Sequence, residues 1–190
     1  LETSQSGQGQ VVDVAMVDGA AQLMWMMQGM QQQGIWNENE REANLLDGAA
    51  HFYDTYECAD GRYVAIGSIE PQFYALLLEK TGVDPEAFQP YMDAAKWPEM
   101  KAALTEAFLS RTRDEWCELM EGSDVCFAPV LTMTEATEYP PNTAREVYIE
   151  VDGVKQPAPA PRFSRTPSSV DHGPPKLGAD TRAVLQAVGM

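Results

Sequence analysis

The sequence predicts an α+β domain that begins with a long helix and ends in an extended arm. Two stretches carry strand-like runs on both sides of an Asp-Gly dipeptide, which favours the tight turn of an antiparallel hairpin. Between them, apolar residues recur at helical spacing, which predicts packed helices. We expect three parts: an initial strand and long linking helix at residues 1–34, a small α+β domain at 35–156, and an extended arm with a carboxy-terminal helix at 157–190.

The first helix is predicted from Met16 to about Gln33, after a short strand or entry segment at residues 11–16. Its apolar stripe is rich in methionine, and such a stripe more often fills a core or a subunit interface than a ligand groove. Asp18 lies inside the most apolar stretch, which argues against a membrane span. Gly34 ends the helix. The stripe consists of Met16, Ala20, Leu23, Met27 and Met30.

The first hairpin is predicted over residues 52–69, where runs rich in Tyr, Phe, Val and Ile flank Asp60 and Gly61. With these two residues as a two-residue turn, Tyr53 lies opposite Ser68. Side chains alternate across a strand, so the hairpin has two distinct faces. The predicted core face consists of Phe52, Tyr56, Tyr63, Ala65 and Ile69. The predicted open face, where a pocket could form, consists of Tyr53, Val64, Ile66 and Glu70.

Glu70 sits where the second strand meets the next helix. Pro71 suits a first helical position because its missing N–H would be unpaired there anyway, and an apolar run follows it through Lys80. Free backbone N–H groups at a helix start favour an ionised carboxylate, which accepts a hydrogen bond and does not donate a proton. Glu70 is therefore a candidate site residue, and a helix-terminal carboxylate without chemistry is the alternative.

The rest of the chain carries further helix, strand and turn signals. Thr112 with Glu115 three residues later matches a capping box, and Asp152 with Gly153 predicts a second hairpin. Alternating proline in PAPAPRF keeps the arm extended and removes donors for strand pairing. In chain order we expect helices at 97–109 and from 113, a buried strand at 124–131, a helical turn at 133–138, a hairpin at 145–156 and a last helix ending at Val188.

Charge and composition exclude several functions. A net charge of -16 with 13 basic residues and no basic run argues against nucleic acid or an anionic membrane as a partner. Two histidines and three cysteines without CxxC spacing predict no metal site. An odd number of cysteines fits a reducing cytoplasm, with Cys58, Cys117 and Cys126 as small buried hydrophobes.

Several stretches of the sequence, in order, resemble the carboxy-terminal half of α-methylacyl-CoA racemases, which are members of the family III CoA-transferase (CaiB/BaiF) superfamily. They are GQGQVVDVAMVDGAA, NLLDGAAHFYDTYECADGRYVAIGSIEPQFY, VCFAPVLTM, APAPRFSRTP and PPKLGADTRAVL. The second stretch is fairly specific to the racemases, whereas the first and last are similar to the superfamily at large. The resemblance implies a fold in which a long helix leaves a Rossmann-like large domain, a smaller domain follows, the chain returns, and two subunits interlock.

The resemblance also implies an enzyme that inverts the α-carbon of 2-methylacyl-CoA thioesters. A histidine and an aspartate carry the protons in such racemases, and both belong to an amino-terminal half that this sequence does not contain. By motif position, Glu70 matches the glutamate that orients or charges the histidine, and Tyr53 matches the pocket tyrosine. These two are the predicted catalytic residues. No cofactor is implied, and acyl-CoA is a substrate if the missing half is supplied. His51 stands where the racemases tend to have proline, and a His51–Glu70 pair is an open alternative.

Three functions stay open. The first, favoured by the hairpin stretch, is the carboxy-terminal portion of a racemase that is inactive alone. The second is the same portion of a CoA-transferase, in which an aspartate forms an acyl-enzyme anhydride. The third is a binding or assembly module, because the residues present supply no base-and-acid pair. The apolar helix and the arm predict self-association as an intertwined dimer, or association with a separate amino-terminal half.

Overall fold

In the computed structural model, which describes residues 2–190, the chain divides into two units, the first running to Val130 and the second from Leu131 to Met190. Both units contain helices and antiparallel strands, so the predicted α+β class with hairpins and packed helices is confirmed. The boundary after Val130 falls inside the predicted small domain, residues 35–156. The three-part organisation expected from the sequence stays a prediction.

Three helices precede the first sheet: α1 (Glu2–Ser6), α2 (Met16–Leu23) and α3 (Trp25–Gln32). The single long helix predicted from Met16 is wrong in one respect, because it is interrupted at Met24. The amide of Met24 donates to the carbonyl of Ala21, three residues back, and this tighter turn ends the α-helical pattern. The apolar spacing continues through the interruption, so nothing in it marks the break. Residues 8–15 form neither helix nor strand.

The first unit contains an antiparallel sheet in the order β1 (Tyr53–Glu57), β2 (Tyr63–Gly67) and β3 (Phe127–Pro129). The predicted first hairpin is present, but its register is wrong by one residue, because Tyr53 pairs with Gly67 and not with Ser68. The amide of Cys58 donates to the carbonyl of Arg62 at 2.8 Å. The connection therefore has three residues, one more than the predicted turn.

A shift of one residue exchanges the two faces of a strand. Val64 and Ile66, expected on the open face, are buried in the core. Tyr63 and Ala65, expected in the core, lie on the opposite face of the same strand. The first strand is unaffected, and its predicted core residues Phe52 and Tyr56 are buried.

Three helices contribute the rest of this core: α4 (Pro71–Thr81), α5 (Trp97–Phe108) and α6 (Arg113–Met120), with a 3₁₀ turn at Ala94–Lys96 before α5. Pro71 begins α4 as predicted, and Gly82 ends it with a φ of 72°. The capping box at Thr112 and Glu115 is also present. The largest fully buried helical side chains are Leu77, Leu104, Phe108, Trp116 and Met120. This core packs against one face of the sheet, and the helices of the first unit that form it do not cover the other face.

The second unit contains α7 (Met133–Glu138), α8 (Pro140–Ala144), a two-stranded sheet of β4 (Tyr148–Val151) and β5 (Val154–Pro157), and α9 (Thr181–Ala187). The second hairpin has the predicted two-residue turn, with Asp152 at φ 52° and Gly153 at φ 78°. Residues 158–180, which include most of the predicted arm, form no helix or strand and are mostly exposed. Arg162 of the arm donates to the carbonyl of Glu146, in the connection between α8 and β4, at 2.6 Å.

Candidate functional site

An open groove of about 500 Å³ lies on the uncovered face of the three-stranded sheet. Its floor consists of small side chains, because Ala65 pairs with Thr55 on one side and with Ala128 on the other. The loop at residues 46–48, the start of β1, the end of β2 and the start of β3 contribute the remaining lining. A shallow floor of this kind can accept an extended apolar group, which a large side chain at Ala65 would exclude.

Tyr53, one of the two predicted site residues, lines this groove. Its ring packs against Gly67, where an added Cβ would stand 3.5 Å from the Tyr53 Cε2 atom. The residue is 36% exposed, and its hydroxyl has no hydrogen-bond partner among residues 2–190. The hydroxyl is therefore available to a group that enters the groove.

Glu70, the other predicted site residue, lies just past the end of β2 at the N-cap of α4. Its carboxylate is exposed and accepts no capping hydrogen bond. The predicted common face with Tyr53 is wrong, because the register is shifted and the strand ends before Glu70. Glu70 does not line the groove, but its charge reaches it. Burial and then the negative charge of Glu70 raise the pKa of the Cys126 thiol, which does line the groove.

Cys126 departs from the prediction that all three thiols are buried. Cys58 is buried and Cys117 is partly buried, whereas Cys126 is exposed. The backbone of Cys126 turns at φ 56°, and its carbonyl accepts from the amide of Gly67 at 2.9 Å. This turn at the start of β3 leaves the thiol at the groove and outside the core.

His51 is fully buried and is not part of the groove. Its Nε2 lies 2.7 Å from the Tyr74 hydroxyl, and its Nδ1 has no hydrogen-bond partner in the part of the chain that the structure describes. Burial lowers the pKa of His51 to about 4, so the imidazole is neutral near neutral pH. The open alternative of a His51–Glu70 pair is wrong, because one side chain is inside the core and the other is exposed.

Two residues that the sequence did not single out, Lys101 and Asn44, hold the loop beside the groove, each through one set of polar contacts. Lys101 forms an ion pair with Asp54 and donates to the carbonyl of Gly48 at 2.7 Å. Asn44 donates from its amide and its side chain to the Asp47 carboxylate, both at 2.7 Å. Burial opposes ionisation of Asp47, but these hydrogen bonds outweigh it and lower its pKa. The Asn-x-x-Asp spacing is a local turn signal that could have indicated the second contact. No local pattern could have indicated the first.

Residues 2–190 offer no group of three or more His, Cys, Asp or Glu side chains that could hold a metal ion. In the same part of the chain, no helix is both long enough and apolar enough to cross a membrane. The groove itself presents a tyrosine hydroxyl, an exposed thiol and two carboxylates that are already engaged by other groups. This set can bind and orient a ligand, but it does not provide an acid and a base on opposite sides of a bound carbon.

Comparison with known proteins shows which family the chain belongs to. The model of CoA-transferase family III matches residues 1–181. The chain belongs to this family.

The curated relatives of this family III chain include racemases. It is 43% identical to the alpha-methylacyl-CoA racemase of Mus musculus and 37% identical to that of Homo sapiens, in both cases over 100% of this chain and 50% of the relative. A CaiB/BaiF family protein from Brucella suis shares the fold with a TM-score of 0.68 at 22% identity, over 98% of this chain and 50% of that one. The family III chain thus spans about half the length of the relatives it matches.

Proposed function

We propose that this chain is the carboxy-terminal portion of an enzyme that racemises the α-carbon of 2-methylacyl-CoA thioesters, and that it supplies a wall of the acyl site without the proton carriers. The observation that carries the proposal is its match, over its whole length, to half of two proteins named alpha-methylacyl-CoA racemase. The uncovered groove beside Tyr53 supports it, because a ligand-shaping wall needs an open face and an available polar group.

The reaction sets the roles of the two site residues. A thioester carbonyl acidifies the adjacent C–H, so racemisation needs one group to remove the proton from one face and another to return it on the opposite face. Tyr53 contacts the acyl group through its unpaired hydroxyl. Glu70, whose exposed carboxylate accepts no bond from its own helix, accepts a hydrogen bond from the proton-carrying histidine of the amino-terminal half and stabilises its charged form.

The chain alone is inactive under this proposal. The histidine nearest in sequence to the groove, His51, is inside the core and bonded to Tyr74. Of the two carboxylates at the groove, Asp54 is neutralised by Lys101 and Asp47 is held by Asn44. Neither carboxylate is available as a base in this arrangement.

Association with an amino-terminal half and with a second subunit is part of the proposal. The helices α2 and α3 carry large apolar side chains that are mostly exposed, with Met16 at 93%, Leu23 at 81% and Trp25 at 71%. Exposed apolar surface of this kind is typical of an interface. We expect the isolated chain to form dimers or larger species in light scattering at micromolar concentration, and a stable monomer would contradict this.

The test compares the chain alone with a continuous polypeptide in which the amino-terminal half of the mouse racemase precedes it. Both are incubated with a 2-methylacyl-CoA in deuterium oxide, and exchange of the α-proton is followed by NMR. We expect exchange only in the joined protein, with a loss of about a hundredfold in Glu70→Gln. If the chain alone catalysed exchange and Glu70→Gln abolished it, the proposal that the proton carriers lie in the amino-terminal half would be overturned.

A CoA-transferase is the second candidate, because the matching family is named for that activity. Transfer needs a free carboxylic acid as acceptor and an aspartate that forms an acyl anhydride. Adding a free acid to the same incubation separates the two reactions. Acyl transfer without α-proton exchange would favour the transferase, and neither reaction in a folded, acyl-CoA-binding protein would favour a module without catalysis.

A further inference from the structure

The groove depends on a loop that the sheet itself does not hold. Residues 46–48 line the groove, yet they belong to no strand of the sheet. Asn44 fixes the preceding side of the loop through Asp47. The following side meets Lys101, which lies more than fifty residues further along the chain on α5.

Lys101 joins three separate parts of the first unit. Its ammonium group forms an ion pair with Asp54 on β1 and donates to the carbonyl of Gly48 at 2.7 Å. The other Asp54 oxygen accepts from the amide of Thr55 at 2.7 Å, so both oxygens of that carboxylate are engaged. The Asp54 side chain is only 19% exposed, which shields the pair from solvent. Glu42, at 3.9 Å and 71% exposed, contributes little.

The approach of the loop to this ion pair is close. Gly48 has a φ of 101°, a conformation that side chains disfavour, and a Cβ there would stand 3.4 Å from Asp54 Oδ1. The helix that carries Lys101 is itself fixed, because the neighbouring Met100 and Leu104 are buried in the core. Lys101 therefore ties the Gly48 side of the loop to α5 and β1, in addition to the Asn44–Asp47 contact on the other side.

We propose that Lys101 is a positioning residue: by linking Asp54 to Gly48 it holds residues 46–48 beside the sheet and so sets the shape of the groove next to Tyr53. The role of Lys101 in holding the loop does not depend on the proposed function, whereas its effect on acyl-CoA binding rests on that function. Lys101 does not touch the reacting atoms. Loss of its ammonium group leaves the sheltered Asp54 carboxylate without its counter-ion and the Gly48 carbonyl without its donor.

The first experiment measures amide hydrogen exchange in the chain by mass spectrometry. In Lys101→Met, peptides that cover residues 44–53 should exchange about tenfold faster, because the amides of Asn44 and Tyr53 are bonded within this loop. Lys101→Arg, which keeps the charge and donors, should stay within about threefold of the parent chain. Lys96→Met is the matched control, because its Nζ also donates to a backbone carbonyl at 2.7 Å but lies outside the groove.

A second variant guards against a folding failure. Asp54→Asn removes the charge at nearly constant shape and should also raise exchange in this loop. Combining it with Lys101→Met should add little, because the two act through one contact. Unchanged exchange in both single variants would overturn the proposal, as would an equal effect of Lys96→Met.

The kinetic experiment uses the joined protein. Lys101→Met should raise KM for the acyl-CoA about tenfold and leave kcat within about twofold, the signature of a distorted binding wall. An unchanged KM with faster loop exchange would overturn the link to acyl-CoA binding. A joined parent protein that folds but lacks activity would contradict the proposed function, while the exchange results would still decide the role of Lys101.

Discussion

Lowering the pH from about 7.5 to about 5.5 should destabilise the first unit through the buried imidazole of His51. The ring is fully buried among aromatic side chains, with centroids 5.0 Å from Phe52, 5.5 Å from Tyr74 and 5.6 Å from Phe88. Within residues 2–190, its Nδ1 has no hydrogen-bond acceptor that could stabilise the positive charge of a protonated ring. Protonation therefore favours the unfolded chain, where water solvates the imidazolium ion.

The sign and size follow from the two pKa values of His51. Burial lowers its pKa from 6.5 to about 4 in the folded protein, so the unfolded state binds the proton first as the pH falls. The contribution of His51 to the free energy of unfolding is fully present above its pKa in the unfolded chain. It is lost progressively as the pH falls from that value towards the pKa in the folded protein. Over the stated interval the loss is about 1.3 kcal/mol of unfolding free energy.

Urea unfolding followed by tryptophan fluorescence measures this loss, because Trp97 and Trp116 are buried in the same core. Other groups also titrate, so the informative quantity is the difference between the parent chain and His51→Phe, which keeps an aromatic ring and cannot be protonated. The parent should lose about 1.3 kcal/mol more than the variant. His172→Gln, a change at an exposed histidine of the second unit, should leave the loss in the first unit close to the parental value. Parallel losses in parent and His51→Phe would refute the reasoning.

Two further predictions concern the groove and a helix start. Ala65→Leu replaces a methyl with an isobutyl group on the groove floor, so it should raise the KM of the joined protein for acyl-CoA at least about tenfold. The circular dichroism spectrum should stay unchanged. An unaffected KM would exclude this face as the acyl site. Thr112→Ala removes the side-chain acceptor of the Glu115 amide and should lower the free energy of unfolding by about 1 kcal/mol in thermal denaturation. Thr112→Ser keeps a hydroxyl acceptor and should retain most of the parental stability. Equal stability of the parent and both variants would contradict a stabilising cap.

Elements marked by local chemistry were predictable from the sequence. Pro71 and Gly82 bound α4 because one lacks an N–H and the other tolerates positive φ. The Thr112–Glu115 capping box is visible as a spacing of three. The break at Met24 and the Lys101–Asp54 pair were not predictable. The first leaves the apolar spacing intact, and the second joins residues far apart in sequence whose meeting depends on the packed fold.

The register of the first hairpin explains why the site was harder to predict than the fold. Both hairpins contain Asp-Gly, but in the second both turn residues have positive φ, whereas in the first only Gly61 does. A long-range contact accompanies the difference: the Ala59 amide donates to the Arg111 carbonyl at 2.8 Å, and Asp60 accepts from the Arg113 amide at 3.3 Å. The segment that leads into α6 thus contacts the three-residue loop.

The length of this loop decides which side chains form the groove. With a three-residue loop, Val64 and Ile66 complete the core, and small Ala65 and Gly67 lie on the uncovered face. A two-residue turn would instead have put isoleucine and valine on the groove floor and left no room there. Tyr53 lies on the groove face in either register, because the shift exchanges the faces of the second strand only. Glu70 lies at a helix start outside the groove, so its proposed role depends on the partner that approaches from outside this chain.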